Sequence, residues 1–279
     1  MTTESETPPL PPLREVIARY GLAARKGLGQ HFLLDLNLTR RIVEKAGNLE
    51  GCTVFEIGPG PGGLTRPLLE SKAALVIAIE KDPRCVLALE PLVEAYPDKL
   101  TLLQKDALQT DLAALAPPPR AIVANLPYNV GTELLLGWLH QRDAFKSLTL
   151  MFQLEVADRI VAQPNSKAYG RLGVLCQFCC NVQRVMKIPA RAFTPPPKID
   201  SAVVHLTPRA DRPTGIALED LEKITAHAFG QRRKMLRTSL KPLGGETLLQ
   251  AADIDPQKRA EDLSVKEFEI LTRAYAANK

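Results

Sequence analysis

The sequence predicts an α/β protein: a doubly wound domain built on a mostly parallel sheet, followed by a small helical domain. Three observations carry that prediction. Short apolar runs, TVFEIG (53–58), LVIAIE (75–80), LTLLQ (100–104), AIVANL (121–126) and LTLMFQ (148–153), alternate with helix-length segments. Continuous apolar strands of this kind belong to parallel sheets covered on both faces. A glycine-rich turn, GPGPGG, follows the first of them, and beyond residue 208 the pattern becomes helical.

The N-terminal residues 1–13 hold several prolines and read as an extended or disordered tail. The main domain then runs over 14–207. After the fifth strand, VLCQFCCNVQRVMKI (174–188) and SAVVHL (201–206) read as two strands bracketing a proline-rich loop, so the sheet should end in an antiparallel pair. PRADRPTG (208–215) mixes Pro, Gly and charge as a linker does. LEDLEKITAHAFGQRRKMLRTSLKPL, a Gly-Gly break and short amphipathic pieces make up a helical domain over 208–279.

Composition narrows the class. No apolar run in the 279 residues approaches the roughly 20 needed to cross a bilayer, and the N-terminus lacks a signal-peptide pattern, so a cytoplasmic protein is expected. Five cysteines, an odd number, do not form a disulfide framework. The net charge of +5 is unevenly spread. Residues 159–199 carry Arg159, Lys167, Arg171, Arg184, Lys187, Arg191 and Lys198 without an acid, and 223–245 carry Lys223, Arg232, Arg233, Lys234, Arg237 and Lys241 without one. Segregated positive charge of this kind suits a surface that tracks phosphates.

In VFEIGPGPGGLT, Gly58, Gly60 and Gly63 match G-x-G-x-x-G directly after the first strand, with a helix expected from about Gly62, and Glu80 stands where a ribose-binding acid should. The glycines alone do not separate a nicotinamide from another adenosine cofactor. Glu56 beside the turn would oppose a pyrophosphate but suit a cation. Asp106 at the end of the third strand can accept from an adenine amino group, and Asn125 ends the fourth. Acids and an amide at successive strand ends suit S-adenosylmethionine, which is cationic and has no phosphate.

ANLPYNVG (124–131) holds no acid, metal ligand or nucleophile. An exocyclic amine on a nucleobase is a poor nucleophile because its lone pair is delocalised into the ring. The Asn125 amide oxygen and the Leu126 carbonyl, fixed by Pro127, can accept its two N–H hydrogens and hold the nitrogen in line, while Tyr128 stacks on the base.

EIGPGPGGLT, AIEKD, ANLPYNVGTELL and FTPPPKIDSAVV, in that order, resemble the ribosomal RNA adenine dimethyltransferases. KGLGQHFLLD, YGRLGVLCQ and FGQRRKMLRTSLK are similar to the branch that dimethylates two adjacent adenines near the 3′ end of small-subunit rRNA. The similarity spans residue 25 to about 245. It implies a class I, Rossmann-like methyltransferase using S-adenosylmethionine and releasing S-adenosylhomocysteine, acting on 16S rRNA in an immature 30S subunit as a monomer without metal or membrane. The cofactor contacts it implies are His31, Leu33, Gly58, Gly60, Glu80, Asp106 and Asn125; Asn125, Leu126, Pro127 and Tyr128 would take the target amine and base, with Phe193 as the second aromatic face. The family often has Asn where this chain has His31, and Leu154 replaces a residue that is commonly basic.

The C-x-x-C-C of Cys176, Cys179 and Cys180, read within a strand, lacks a second ligand cluster and reads as core packing. His140, His205 and His227 are isolated and read as structural. Arg232, Arg233, Lys234 and Arg237 are expected to grip rRNA backbone. Two other functions stay open: an adenine methyltransferase acting on large-subunit rRNA or DNA, and a ribosome-assembly checkpoint with methylation secondary. A nicotinamide oxidoreductase is more distant.

Overall fold

The structure, a computed structural model, describes residues 10–22 and 30–279. Residues 1–9 of the expected tail and 26–29 of the N-terminal motif lie outside that description. The rest of the tail is packed. Leu10 rests on the main core cluster, and a helix already begins at Leu13, running to Arg19 with Leu13 and Val16 buried. The Pro11 carbonyl accepts from Nη2 of the buried Arg66 at 2.7 Å, a partner that a guanidinium out of water requires.

The strands are β1 (Phe32–Leu33), β2 (Thr53–Ile57), β3 (Leu75–Glu80), β4 (Leu100–Gln104), β5 (Arg120–Asn125), β6 (Ser147–Gln153), β7 (Cys180–Ile188), β8 (Phe193–Thr194) and β9 (Ser201–Pro208). Seven form one mostly parallel sheet in the order β4-β3-β2-β5-β6-β9-β7, with antiparallel strands at its β7 edge. The five apolar runs of the sequence are β2 to β6, and their buried Val, Ile and Leu make the core on both faces. In register, Val54 pairs with Val76 on one side and Ala121 on the other. The chain therefore leaves β2 toward β3 and returns to its opposite side at β5. That reversal opens a crevice beyond the C-terminal ends of β2 and β5, where doubly wound sheets bind ligands.

Two local expectations are corrected. The helix after the glycine turn begins at Thr65, not near Gly62, because Gly62 sits at φ +89°, a left-handed conformation that a right-handed helix cannot include. Residues 174–179 are helical rather than extended: a helix spans Arg171–Cys179 and only then does β7 begin. Gly173, Val174, Leu175, Cys176, Phe178 and Cys179 are all buried, so the segment shows no polar face and no period to read. Gly173 is required there, since a Cβ would stand 2.5 Å from the Arg159 carbonyl.

The chain forms two compact units, one of residues up to Leu154 with Val185–His205, the other of Glu155–Arg184 with Leu206–Lys279. This division differs from a boundary at 207/208, because residues 155–184 group with the C-terminal helices. In the second unit Tyr169 donates to the Leu263 carbonyl at 2.9 Å, and Phe229 stacks on Phe268 with centroids 5.6 Å apart. Gly244 and Gly245, both at positive φ, make the expected break before the helix Gly245–Ala251. Among the described residues no helix is long and apolar enough to cross a membrane.

Candidate active site

The crevice at the β2/β5 switch holds a cavity of about 230 Å³. His31, Leu33, Glu56, Gly58, Gly60, Glu80, Asp106, Asn125, Leu126, Pro127 and Tyr128 all line it, so positions spread over nearly a hundred residues converge. Phe193 does not: it is 2 % exposed and belongs to the core beneath.

The glycine turn is built as much for the protein as for a ligand. Gly58 and Gly60 take φ of +68° and +56°, which disfavours any other residue. A Cβ on Gly63 would stand 2.2 Å from the Leu33 carbonyl, so this glycine lets β1 close against the turn. β1 is held from the other side by β8, with Phe32 opposite Thr194 and Leu33 opposite Phe193.

Glu80 ends β3 and is 6 % exposed. Its Oε2 accepts from the Gly60 amide at 3.1 Å, and its Oε1 from the Lys81 and Asp82 amides at 2.8 Å each. Burial raises its pKa while these amides hold it down. The Gly60 amide is the group that would cradle a pyrophosphate, and it is committed to a carboxylate. Glu56, 1 % exposed, has no partner for Oε2 among the described residues, nor has the neighbouring Thr65 hydroxyl. Burial pushes the Glu56 carboxyl up to about 8; the nearby hydroxyl offsets this only partly, and Glu80 adds to it. An orphaned carboxylate oxygen on the cavity wall fits a cationic ligand and not a phosphate.

At the end of β4, Asp106 accepts from Lys81 Nζ at 2.7 Å through Oδ2 and from the Leu108 amide at 3.1 Å through Oδ1, and the Lys81 ammonium holds its pKa below the ordinary carboxylate range. Asn125, ending β5, donates from Nδ2 to the His31 carbonyl at 3.0 Å. Reversing the amide would set two acceptors face to face, so Oδ1 is left as the free acceptor. Among the described residues nothing donates to the Leu126 carbonyl. The Tyr128 hydroxyl meets Ser201 Oγ at 2.6 Å, which pins the ring. These groups can hold a cationic nucleoside between Glu56, Glu80 and Asp106 and present acceptors to an amine at the mouth.

The matching family model is that of ribosomal RNA adenine dimethylase, over residues 21–276. The chain belongs to that family. Proteins named ribosomal RNA small subunit methyltransferase A from Rhizobium johnstonii and Paramagnetospirillum magneticum are 58% and 56% identical to it, covering 95% and 96% of this chain and 98% and 96% of theirs. A dimethyladenosine transferase from Plasmodium falciparum superposes with a TM-score of 0.76 at 26% identity, covering 86% of this chain and 96% of that one. The 23S rRNA methyltransferase ErmE gives 0.66 at 27%, covering 88% and 99%. This dimethylase thus has the class I methyltransferase fold and acts as an rRNA adenine-N6,N6-dimethyltransferase.

Several site residues were not expected from sequence. Ser201 reaches the site only through the fold, whereas Lys81 and Asp82 follow Glu80 directly; Asp82 caps the helix Pro83–Ala95 and is held down to about 2 chiefly by the Arg84 guanidinium, with Gln30 also donating. The Asp-Pro pair at 82–83 is a helix-start signal visible in the sequence. Cys176 and Cys179 are buried in a helix, with the Cys176 thiol pushed well above its ordinary range by burial. His205 bonds Thr149 Oγ1 at 2.9 Å, and His227 donates to the Lys223 carbonyl at 2.9 Å. Among the described residues no group of three His, Cys, Asp or Glu is placed to hold a metal.

Of the basic stretches, the first is flanked by its own acids: Arg159 pairs with Glu155, Arg184 with Asp158 and Lys187 with Asp200. In the second, residues 231–235 form a turn between the helices Leu218–Gly230 and Leu236–Ser239. Arg232 bonds Glu261 at 2.9 Å and the Lys167 carbonyl at 2.8 Å. Arg233, Lys234 and Arg237 are exposed and have no ion pair among the described residues.

Proposed function

We propose that this dimethylase methylates N6 of two adjacent adenines, twice each, in a hairpin near the 3′ end of 16S rRNA within an immature 30S subunit, with S-adenosylmethionine as donor. The observation that carries the catalytic reading is the Asn125 amide, turned by the His31 carbonyl so that its oxygen is the free acceptor. S-adenosylmethionine supplies a methyl group made electrophilic by its sulfonium and leaves as S-adenosylhomocysteine. Glu56 and Glu80 bind the cofactor's positive charge and ribose, and Asp106 its adenine amino group. His31, Leu33, Gly58 and Gly60 shape the remaining walls.

In the first transfer Asn125 Oδ1 and the Leu126 carbonyl accept the two N–H hydrogens of the target amine, and in the second the one that remains, drawing the lone pair out of conjugation; each transfer leaves a cationic nitrogen that gives up one proton to solvent water. Pro127 holds those acceptors in place, and Tyr128 stacks on the flipped base, with Phe193 as the second aromatic group behind it. Positioning and preorganised acceptors do the work, so no side chain has to ionise. Arg233, Lys234 and Arg237 contact rRNA phosphates. The same reading has the protein working as a monomer, without a metal, in the cytoplasm.

The small-subunit target is supported by the identity to the small subunit methyltransferases, about twice that to ErmE. The test is transfer of tritiated methyl to purified immature small subunits, then nucleoside analysis and primer extension. N6,N6-dimethyladenosine at two neighbouring stops near the 3′ end is expected; no transfer to these particles, with transfer instead to immature large subunits assayed in parallel, would move the target to the large subunit.

A further inference from the structure

Tyr128 and Phe193 are the two rings expected to sandwich the target base; Phe193 is buried in the core, and a third ring touches both. The His31 ring stacks on Tyr128 with centroids 5.3 Å apart and planes 29° from parallel. The same ring meets Phe193 edge-on, at 6.5 Å and 80°. Its Nδ1 lies 2.8 Å from the Pro195 carbonyl. A carbonyl only accepts, so Nδ1 carries the proton and donates. Tyr128 cannot turn aside, because Ser201 holds its hydroxyl.

Resting on the function proposed above, we propose that the His31 side chain is an internal stand-in for the substrate base: it covers the stacking face of Tyr128, and the target adenine enters by displacing it.

The residue is divided for this purpose. Its backbone carbonyl anchors Asn125, while among the described residues its imidazole makes one hydrogen bond and two ring contacts. Rotation about the Cα–Cβ bond therefore clears the slot without releasing the catalytic amide. The stand-in also sets a threshold. An aromatic face left open to water invites any ring, whereas a base that must replace an imidazole has to stack better than one. The two fused rings of a purine do so; a pyrimidine, little larger than imidazole, gains far less. His31 thus selects for an adenine that is already unstacked from its neighbours.

The test is a series at this position, His31→Ala, His31→Asn and His31→Phe, assayed for methyl transfer to immature small subunits, with S-adenosylhomocysteine binding measured by calorimetry for each. Removing the competing ring should lower KM for the particle roughly two- to tenfold in His31→Ala and His31→Asn. The more strongly stacking ring of His31→Phe should raise it, with kcat changing less than KM throughout. A purely structural role would not order KM by the stacking power of the side chain. Equal KM across the series, or a higher KM in His31→Ala with cofactor binding intact, overturns the proposal. Loss of S-adenosylhomocysteine binding in all three would make the ring a cofactor ligand and overturn it too. Absence of adenine methylation by the wild-type protein would instead sink the function on which it rests.

Discussion

The side-chain amide of Asn125 is tied to the backbone carbonyl of His31, 94 positions away in sequence, through a 3.0 Å hydrogen bond from Nδ2. One bond settles which atom of the amide is offered to the cavity. It also makes the position of the acceptor depend on β1 staying closed against the glycine turn.

Asn125→Ala should therefore lower kcat by about a hundredfold or more, the usual cost of losing one preorganised polar group at a reacting centre. Cofactor affinity should fall far less, as isothermal titration with S-adenosylhomocysteine would show. Near-normal turnover in this variant would remove the mechanism.

Glu56 makes binding and stability depend on pH. Its carboxyl titrates near 8 in the folded protein, above its value of 4.5 when unfolded, so at neutral pH the empty site holds it protonated. A cationic ligand draws off that proton, and affinity for S-adenosylmethionine should rise with pH up to about 8 and then level off. Without ligand, the contribution to stability is fully present below about 4.5 and is lost as pH climbs through 8. Glu56→Gln should flatten the affinity profile and raise Tm relative to wild type at pH 8–9 but not near pH 4. Parallel profiles for the two proteins would show that Glu56 does not titrate there.

Gly63→Ala should destabilise the protein by roughly 1–3 kcal/mol, as overpacking does, since the new methyl meets the Leu33 carbonyl at 2.2 Å. Urea unfolding measures it. The variant should also bind cofactor more weakly, because the displaced strand carries His31 and Leu33 of the cavity wall. An unchanged midpoint would mean that β1 is not closed on the turn in solution.

Ser201→Ala frees the Tyr128 ring while leaving its face intact. Loss of the 2.6 Å hydroxyl pair should cost about 1 kcal/mol, seen as a several-fold higher KM for the rRNA particle at unchanged cofactor affinity. Steady-state assays with each substrate varied in turn separate the two.

Replacing Arg233, Lys234 and Arg237 together should weaken RNA binding and reduce the slope of log K against log salt by about 2, roughly 0.7 for each phosphate no longer neutralised. Arg232→Ala should act differently, lowering Tm through its missing bonds to Glu261 and Lys167. An unaltered salt slope in the triple variant would place the RNA elsewhere.

The sequence alone determined the five parallel strands, the glycine turn and the order of the motifs, because each is a local pattern: an apolar run, a backbone that must take positive φ, a proline after an amide. The acids at the strand ends were legible for the same reason, and Glu56 could be recognised as unsuited to phosphate. The helix Arg171–Cys179 was not, since a segment buried on every side carries no period. Nor could the sequence announce that Leu13 is core or that residues 155–184 group with the C-terminal helices. Only the tertiary structure decided the pairing of β1 with β8, and with it the placing of the His31 ring between Tyr128 and Phe193 and the burial of Phe193 behind it. Those contacts join residues 97 to 162 positions apart, and no local propensity encodes which distant surfaces close on one another; packing and hydrogen bonding in the folded chain do.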